Sequence, residues 1–156
     1  MINNDVLRSL RFMLETDDAT IAAIIALGGG TVSRPEVTAF LRREEEPGYA
    51  PCNDQLMTHF LDGLIIHRRG RQADAKPRPA EPNITNNTVL KKLRIAFELT
   101  EEDLLALMAA SGFEVSKPEL SALFRSPSHK NFRTAGDQFL RNFLKCLTAR
   151  IRGDVQ

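Results

Sequence analysis

The sequence predicts an all-α protein of eight principal helices, built as two homologous four-helix units in tandem and packed with pseudo-two-fold symmetry. Three observations lead there. Shifting the chain by 83 positions lays residues 3–70 on residues 86–153 without a gap, and 23 of the 68 aligned pairs are identical. An internal repeat of this length marks one structural unit written twice. Apolar residues recur at helical spacing through both copies, while no stretch alternates polar and apolar residues as a half-buried strand would. Units of about 70 residues lie near the lower limit for a self-sufficient core, so the copies are expected to pack on each other.

In the first helix Val6, Leu7, Leu10, Met13 and Leu14 share a face, repeated as Val89, Leu90, Leu93, Ala96 and Phe97. Asn3 or Asn4 is placed to cap its start by accepting an orphan backbone N–H. The second helix follows Asp17-Asp18 in one copy and Thr100-Glu-Glu-Asp103 in the other, where negative charge suits a helix N-terminus. It buries Ile21, Ile24 and Ile25, or Leu104, Leu107 and Met108, and ends at Gly29 or Gly112 in a left-handed cap. Ser33-Arg-Pro-Glu36 and Ser116-Lys-Pro-Glu119 carry the serine, early proline and glutamate of a capping box. The third helix then buries Val37, Phe40 and Leu41, or Leu120, Leu123 and Phe124. After a loop comes a longer fourth helix with Leu56, Met57, Phe60, Leu61 and Leu64, or Phe139, Leu140, Phe143, Leu144 and Leu147. Asp54 and Asp137 sit in its first turn, opposite the helix dipole. The first unit spans 1–70 and the second 84–156; residues 71–83, with Pro77, Pro79 and Pro82, read as an extended linker.

Composition narrows the function classes. With 42% apolar and 26% charged residues the chain is of the soluble globular class, and a net charge of +1 exerts no global pull on nucleic acid or acidic membranes. The halves differ: residues 1–70 hold seven Lys/Arg against ten Asp/Glu, residues 84–156 eleven against eight. Cys52 and Cys146 fall at non-equivalent places, so neither a disulfide framework nor a zinc site is expected. No apolar run reaches the roughly 20 residues of a membrane span. Met1-Ile-Asn-Asn-Asp5 lacks the regions of a signal peptide, so the expected compartment is the cytoplasm, with no membrane association.

Asn4-Asp-Val-Leu-Arg-Ser-Leu-Arg11, Leu41-Arg-Arg-Glu-Glu-Glu-Pro-Gly-Tyr49 and Asn87-Thr-Val-Leu-Lys-Lys-Leu-Arg-Ile-Ala-Phe97 resemble the YehS-type family of bacterial proteins. His129-Lys-Asn-Phe-Arg133 and Gly136-Asp-Gln-Phe-Leu-Arg141 extend the likeness through both copies. The resemblance implies a small tandem-domain protein of a group without assigned function, and brings no catalytic residues with it.

Neither copy contains a catalytic or cofactor motif, and the expectation is a non-enzymatic module without metal or cofactor that acts through a protein partner or self-association. Gly28-Gly-Gly30 follows a helix, lacks a following Lys-Ser/Thr and becomes Ser111-Gly-Phe113 in the second copy, so it reads as helix termination and not a phosphate loop. Cys52 with His59 lacks a third group to orient a nucleophile. Of the polar residues shared by both copies, Arg11 and Glu15 are expected to pair along helix one, and the asparagines to cap it.

Two features stand apart. Phe12 and its counterpart Ile95 point away from the core face of helix one, which marks a second buried surface between copies or between chains. The loop before helix four reverses its charge: Arg43-Glu44-Glu45-Glu46-Pro-Gly-Tyr49 is acidic, whereas Ser126-Pro-Ser-His-Lys130-Asn-Phe132-Arg133 is basic. Such loops can dock within a chain or head to tail between chains, or stay solvated. The alternative function is nucleic-acid binding through a helix-turn-helix-like segment over residues 101–125, with Ala109, Gly112, Val115 and Leu120 in its core and Lys117, Ser121 and Arg125 facing the nucleic acid.

Overall fold

The structure, a computed structural model, describes residues 1–70 and 83–153; apart from Asn83 the expected linker lies outside the described residues. These residues form eight helices and no strand: α1 Asn3–Met13, α2 Asp18–Leu27, α3 Arg34–Leu41, α4 Asp54–Arg69, α5 Asn86–Ala96, α6 Glu101–Ala110, α7 Lys117–Leu123 and α8 Asp137–Arg152. Local chemistry sets most boundaries as expected. Asp17 accepts the Thr20 N–H at 2.8 Å at the start of α2, and Thr100 and Asp103 close a capping box on α6. Gly29 and Gly112 leave α2 and α6 with φ of 94° and 79°, backbone that a β-carbon disfavours. Ser33 and Glu36 form the full capping box, but in the second copy the Ser116 hydroxyl donates to Glu119 at 2.9 Å, so only half of the box remains.

Helix one corrects two expectations. Ile2 and Thr85 occupy the N-cap positions of α1 and α5, and the asparagines lie inside the first turn. Asn4, 1% exposed, donates to the carbonyls of Phe40 and Ala50 at 2.9 Å each and accepts the Cys52 N–H at 3.0 Å. Asn87 repeats this with Leu123, Arg133 and Ala135 at 2.9, 2.8 and 2.9 Å. The asparagines therefore staple helix one to the end of helix three and to the loop before helix four. Arg11 and Glu15 do not pair along α1, because Glu15 lies past the helix end at φ 50°. Arg11 instead meets Asp18 at 3.5 Å, while Glu15 meets Arg152 of the second copy at 3.2 Å.

The copies interlock. α1 packs on α8, and α4 on α5, two contacts that exchange under the 83-residue shift. At one end Asp54 accepts from Asn3 at 2.8 Å and from the Ile84 N–H at 3.0 Å, bridging α4, α1 and the entry to α5. Asp137 does the same for Asn86 at 2.8 Å and the Met1 amine at 2.6 Å. At the other end Arg152 reaches Glu15 and the Phe12 carbonyl, at 3.2 and 2.8 Å, and Arg69 reaches Glu98 at 3.4 Å. Partners matched at both ends are parallel, so α1, α4, α5 and α8 all start at the same end. Their dipoles align there, offset by Asp5, Asp54 and Asp137 at the starts and by Arg11, Arg69, Arg94, Arg150 and Arg152 at the finishes. One apolar core runs through both copies, with Phe60 and Phe143 the largest fully buried side chains.

The copies differ in how helix two meets helix four. A Cβ on Gly63 would stand 1.8 Å from the Ile24 carbonyl oxygen, and one on Gly28 1.8 Å from that of His59. Only two glycines permit this crossing. The second copy has Ser111 and Cys146 at these positions, and Phe113 and Phe139 meet edge to face there at 6.1 Å. The seam between copies also carries an asymmetric ion pair: Lys92, 4% exposed, meets Asp62 at 2.5 Å, whereas Ser9 and Lys145 hold the equivalent positions on the α1–α8 side.

Three outcomes follow for stability. Asn87→Ala strands buried backbone partners and is expected to cost about 3 kcal/mol in urea denaturation. Asp62→Ala leaves the Lys92 charge buried and unpaired, at a cost of about 3–5 kcal/mol, whereas Asp62→Leu with Lys92→Met is expected to restore most of that loss. Hydrogen bonds from Asn86 and the Met1 amine hold the Asp137 carboxyl below its ordinary range, so its contribution is present above the unfolded-state value and lost as pH falls through the lower folded-state value. Thermal melts of wild type and Asp137→Asn should therefore differ most above about pH 4 and converge in stronger acid.

Candidate functional site

The two loops before helix four have one backbone and opposite charge. In the first copy the Glu46 N–H bonds the Arg43 carbonyl at 2.9 Å, the Tyr49 N–H bonds that of Glu46 at 3.3 Å, and the Ala50 N–H returns to Ala39 at 3.2 Å. In the second, His129 bonds Ser126 at 2.9 Å, Phe132 bonds His129 at 3.0 Å, and Arg133 returns to Ala122 at 3.0 Å. Each link is the other shifted by 83 residues. The Asn4 and Asn87 staples grip the carbonyls of Ala50 and Arg133, so both loops are fixed to the core at equivalent points. Side chains then diverge on a shared frame.

Each loop and its helix three frame a shallow depression. That of the first copy, about 380 Å³, lies between Arg34, Pro35, Thr38 and Gly48, with Arg42 turned to the Pro47 carbonyl at 2.9 Å. That of the second, about 410 Å³, is lined by Arg125, Lys130 and Arg133 around Phe132, with Glu119 on its rim. Among the described residues these three cations make no side-chain hydrogen bond or ion pair. Glu44, Glu45 and Glu46 are exposed, and Glu46 spends one oxygen on the Arg43 N–H at 3.0 Å. Tyr49 and Phe132 occupy equivalent half-buried positions. No ion pair joins the acidic loop to the basic one within the described residues.

Phe12 meets the second copy, and the two off-face residues are not equally placed. Phe12 remains 61% exposed, its ring beneath the Arg152 guanidinium at 4.2 Å, while Ile95 is half-buried. The neighbouring Arg68–Phe97 stack, at 4.1 Å, was not foreseen from sequence; burial draws the Arg68 pKa down despite Glu98.

The helix-turn-helix geometry expected over residues 101–125 is not formed. Six residues, 111–116, separate α6 from α7 where that motif uses three or four. Ala109 and Gly112 are exposed and Val115 half-buried, so of the four expected core positions only Leu120 is buried. α7 spans seven residues, with Lys117 exposed at its start and Ser121 half-buried, and Arg125 lies beyond its end in the depression.

Cys52 and His59 belong to the core and its edge. Burial, with Asp54 nearby, pushes the Cys52 thiol up to about 12, and His59 Nδ1 donates to the Gly28 carbonyl at 2.8 Å. Among the described residues no group of three or more His, Cys, Asp or Glu is placed to hold a metal ion, and no helix is long and apolar enough to cross a membrane.

Comparison with known proteins matches the duplication. The family described as Protein of unknown function (DUF1456) matches residues 3–70 and again 86–153. The chain is 45% identical over 150 residues to the Uncharacterized protein YehS of Escherichia coli (strain K12), covering 96% of each chain. No solved structure matches significantly. Two matched segments and a full-length relative place the chain in the DUF1456 family, as a tandem member carrying the family unit twice.

Proposed function

We propose that the protein is a non-catalytic binding module whose site is the basic depression of the second copy, and that it takes a negatively charged protein surface there. One observation carries the reading: on identical loop backbones the second copy gathers Arg125, Lys130 and Arg133 without partners, where the first copy lines its depression with two arginines, Arg34 and an Arg42 spent on the Pro47 carbonyl. Three unpaired cations around a half-buried aromatic suit carboxylates, which guanidinium and ammonium groups bind by charge-assisted hydrogen bonds.

The non-catalytic part has its own support. Asp54, Asp137, Asn4 and Asn87 are committed to holding backbone, and a thiol with a pKa near 12 is a poor nucleophile at neutral pH. Cytoplasmic action belongs to the same reading, since the free cysteines form no disulfide.

Fluorescence anisotropy with the protein dilute tests the site, using labelled poly-glutamate and random-sequence duplex DNA as probes. Poly-glutamate is expected to bind at low salt, and Arg125→Ala with Lys130→Ala and Arg133→Ala to weaken it at least about tenfold. Binding of duplex with a steep salt slope, and not of the peptide, would favour the nucleic-acid alternative. Binding of neither contradicts the site.

A further inference from the structure

We propose that the anionic surface received by the basic depression is the acidic loop of a second copy of this chain, so that two molecules join through two identical contacts. The inference rests on the binding reading above and adds the partner's identity.

Placement comes first. Asp54 and Asp137 open the helices that follow the two loops, and their bonds to Asn3, Ile84, Asn86 and Met1 collect both helix starts at one end of the molecule. Acidic and basic loops therefore share that end. Met1, Ile2, Glu44 and Glu45 line a common surface, and the Met1 amine is 2.6 Å from Asp137 at the end of the basic loop.

Charge comes second. Glu44, Glu45 and Glu46 equal Arg125, Lys130 and Arg133 in number, yet within one chain no ion pair links them among the described residues. Like on like repels, so acidic loops cannot stack on acidic loops. Opposite loops attract, and the exchange is reciprocal.

Symmetry comes third. The internal pseudo-two-fold relates the acidic loop to the basic loop of the same molecule. A molecular two-fold perpendicular to it sets each acidic loop on the other molecule's basic loop, an isologous contact that closes at two chains. Both molecules then bury both loops, and the equivalent aromatics, Tyr49 and Phe132, come to the centre of each contact. Because the attraction is electrostatic, assembly answers to salt.

Light scattering on the full chain provides the test. Wild type is expected at twice the 17.5 kDa chain mass at low salt and at the single-chain mass near 1 M salt, where the screening length is about 3 Å. Glu44→Lys with Glu45→Lys, and separately Lys130→Glu with Arg133→Glu, should each weaken association at least about tenfold with unchanged helical circular dichroism. Mixing the two variants should restore the two-chain mass, since one then carries two basic loops and the other two acidic ones. A wild type at single-chain mass throughout, variants that still associate, or a mixture that does not, each overturns the proposal. If a monomeric wild type still binds poly-glutamate through Lys130 and Arg133, the self-association fails and the binding site survives; if it binds none, both fail.

Discussion

Two aspartates make this chain one fold instead of two beads. Asp54 and Asp137 each take one bond from helix one of their own copy and one from the backbone entering helix one of the other. Those four bonds gather the starts of α1, α4, α5 and α8 at one end, and the contacts of Arg152 with Glu15 and of Arg69 with Glu98 at the other end set α1 parallel to α8 and α4 parallel to α5. The remaining features depend on that geometry: the stacked arginines at the far end, the buried Lys92–Asp62 pair on the seam, and the placing of both helix-four loops at the end where the helices start.

The asymmetry of the seam has a physical consequence. If second copies paired with each other, Lys92 would face Lys145; if first copies did, Ser9 would face Asp62 without a cation. A buried charge without its partner is strongly destabilising, so the pair favours first against second copy. Duplication supplied two surfaces that fit each other, and the Lys–Asp exchange gave the fit a direction. The close crossing of α2 on α4 through Gly28 and Gly63, absent from the second copy, shows the same divergence inside the units.

Much of the fold was legible in the sequence because it rests on local rules. Apolar spacing located the core faces of all eight helices, and serine, threonine and aspartate caps located the starts of helices two and three in both copies. What escaped was polar and long-range. Asn4 and Asn87 look like caps from sequence because asparagine before an apolar run usually is one; that they point 36 residues onward, to Phe40 and Leu123, depends on packing that no local window contains. Arg11 and Glu15 had the spacing of a helical pair, but the helix ends between them and Glu15 is drawn to the other copy. The candidate site was half legible. Loop charge reversal was plain, and the common backbone that makes the reversal a comparison of like with like appears only in the hydrogen bonds. The helix-turn-helix reading failed on turn length, already long in the sequence between Gly112 and the Ser116 cap.

The central claim is that neither copy is complete without the other, because each supplies the surface on which the other's helix one and helix four pack. Residues 1–70 and 84–156 prepared as separate chains, followed by circular dichroism through urea unfolding, test it most directly. Each alone should show weak helicity and no cooperative transition, and an equimolar mixture should regain both. Cooperative unfolding of either isolated unit at the midpoint of the full chain would contradict it.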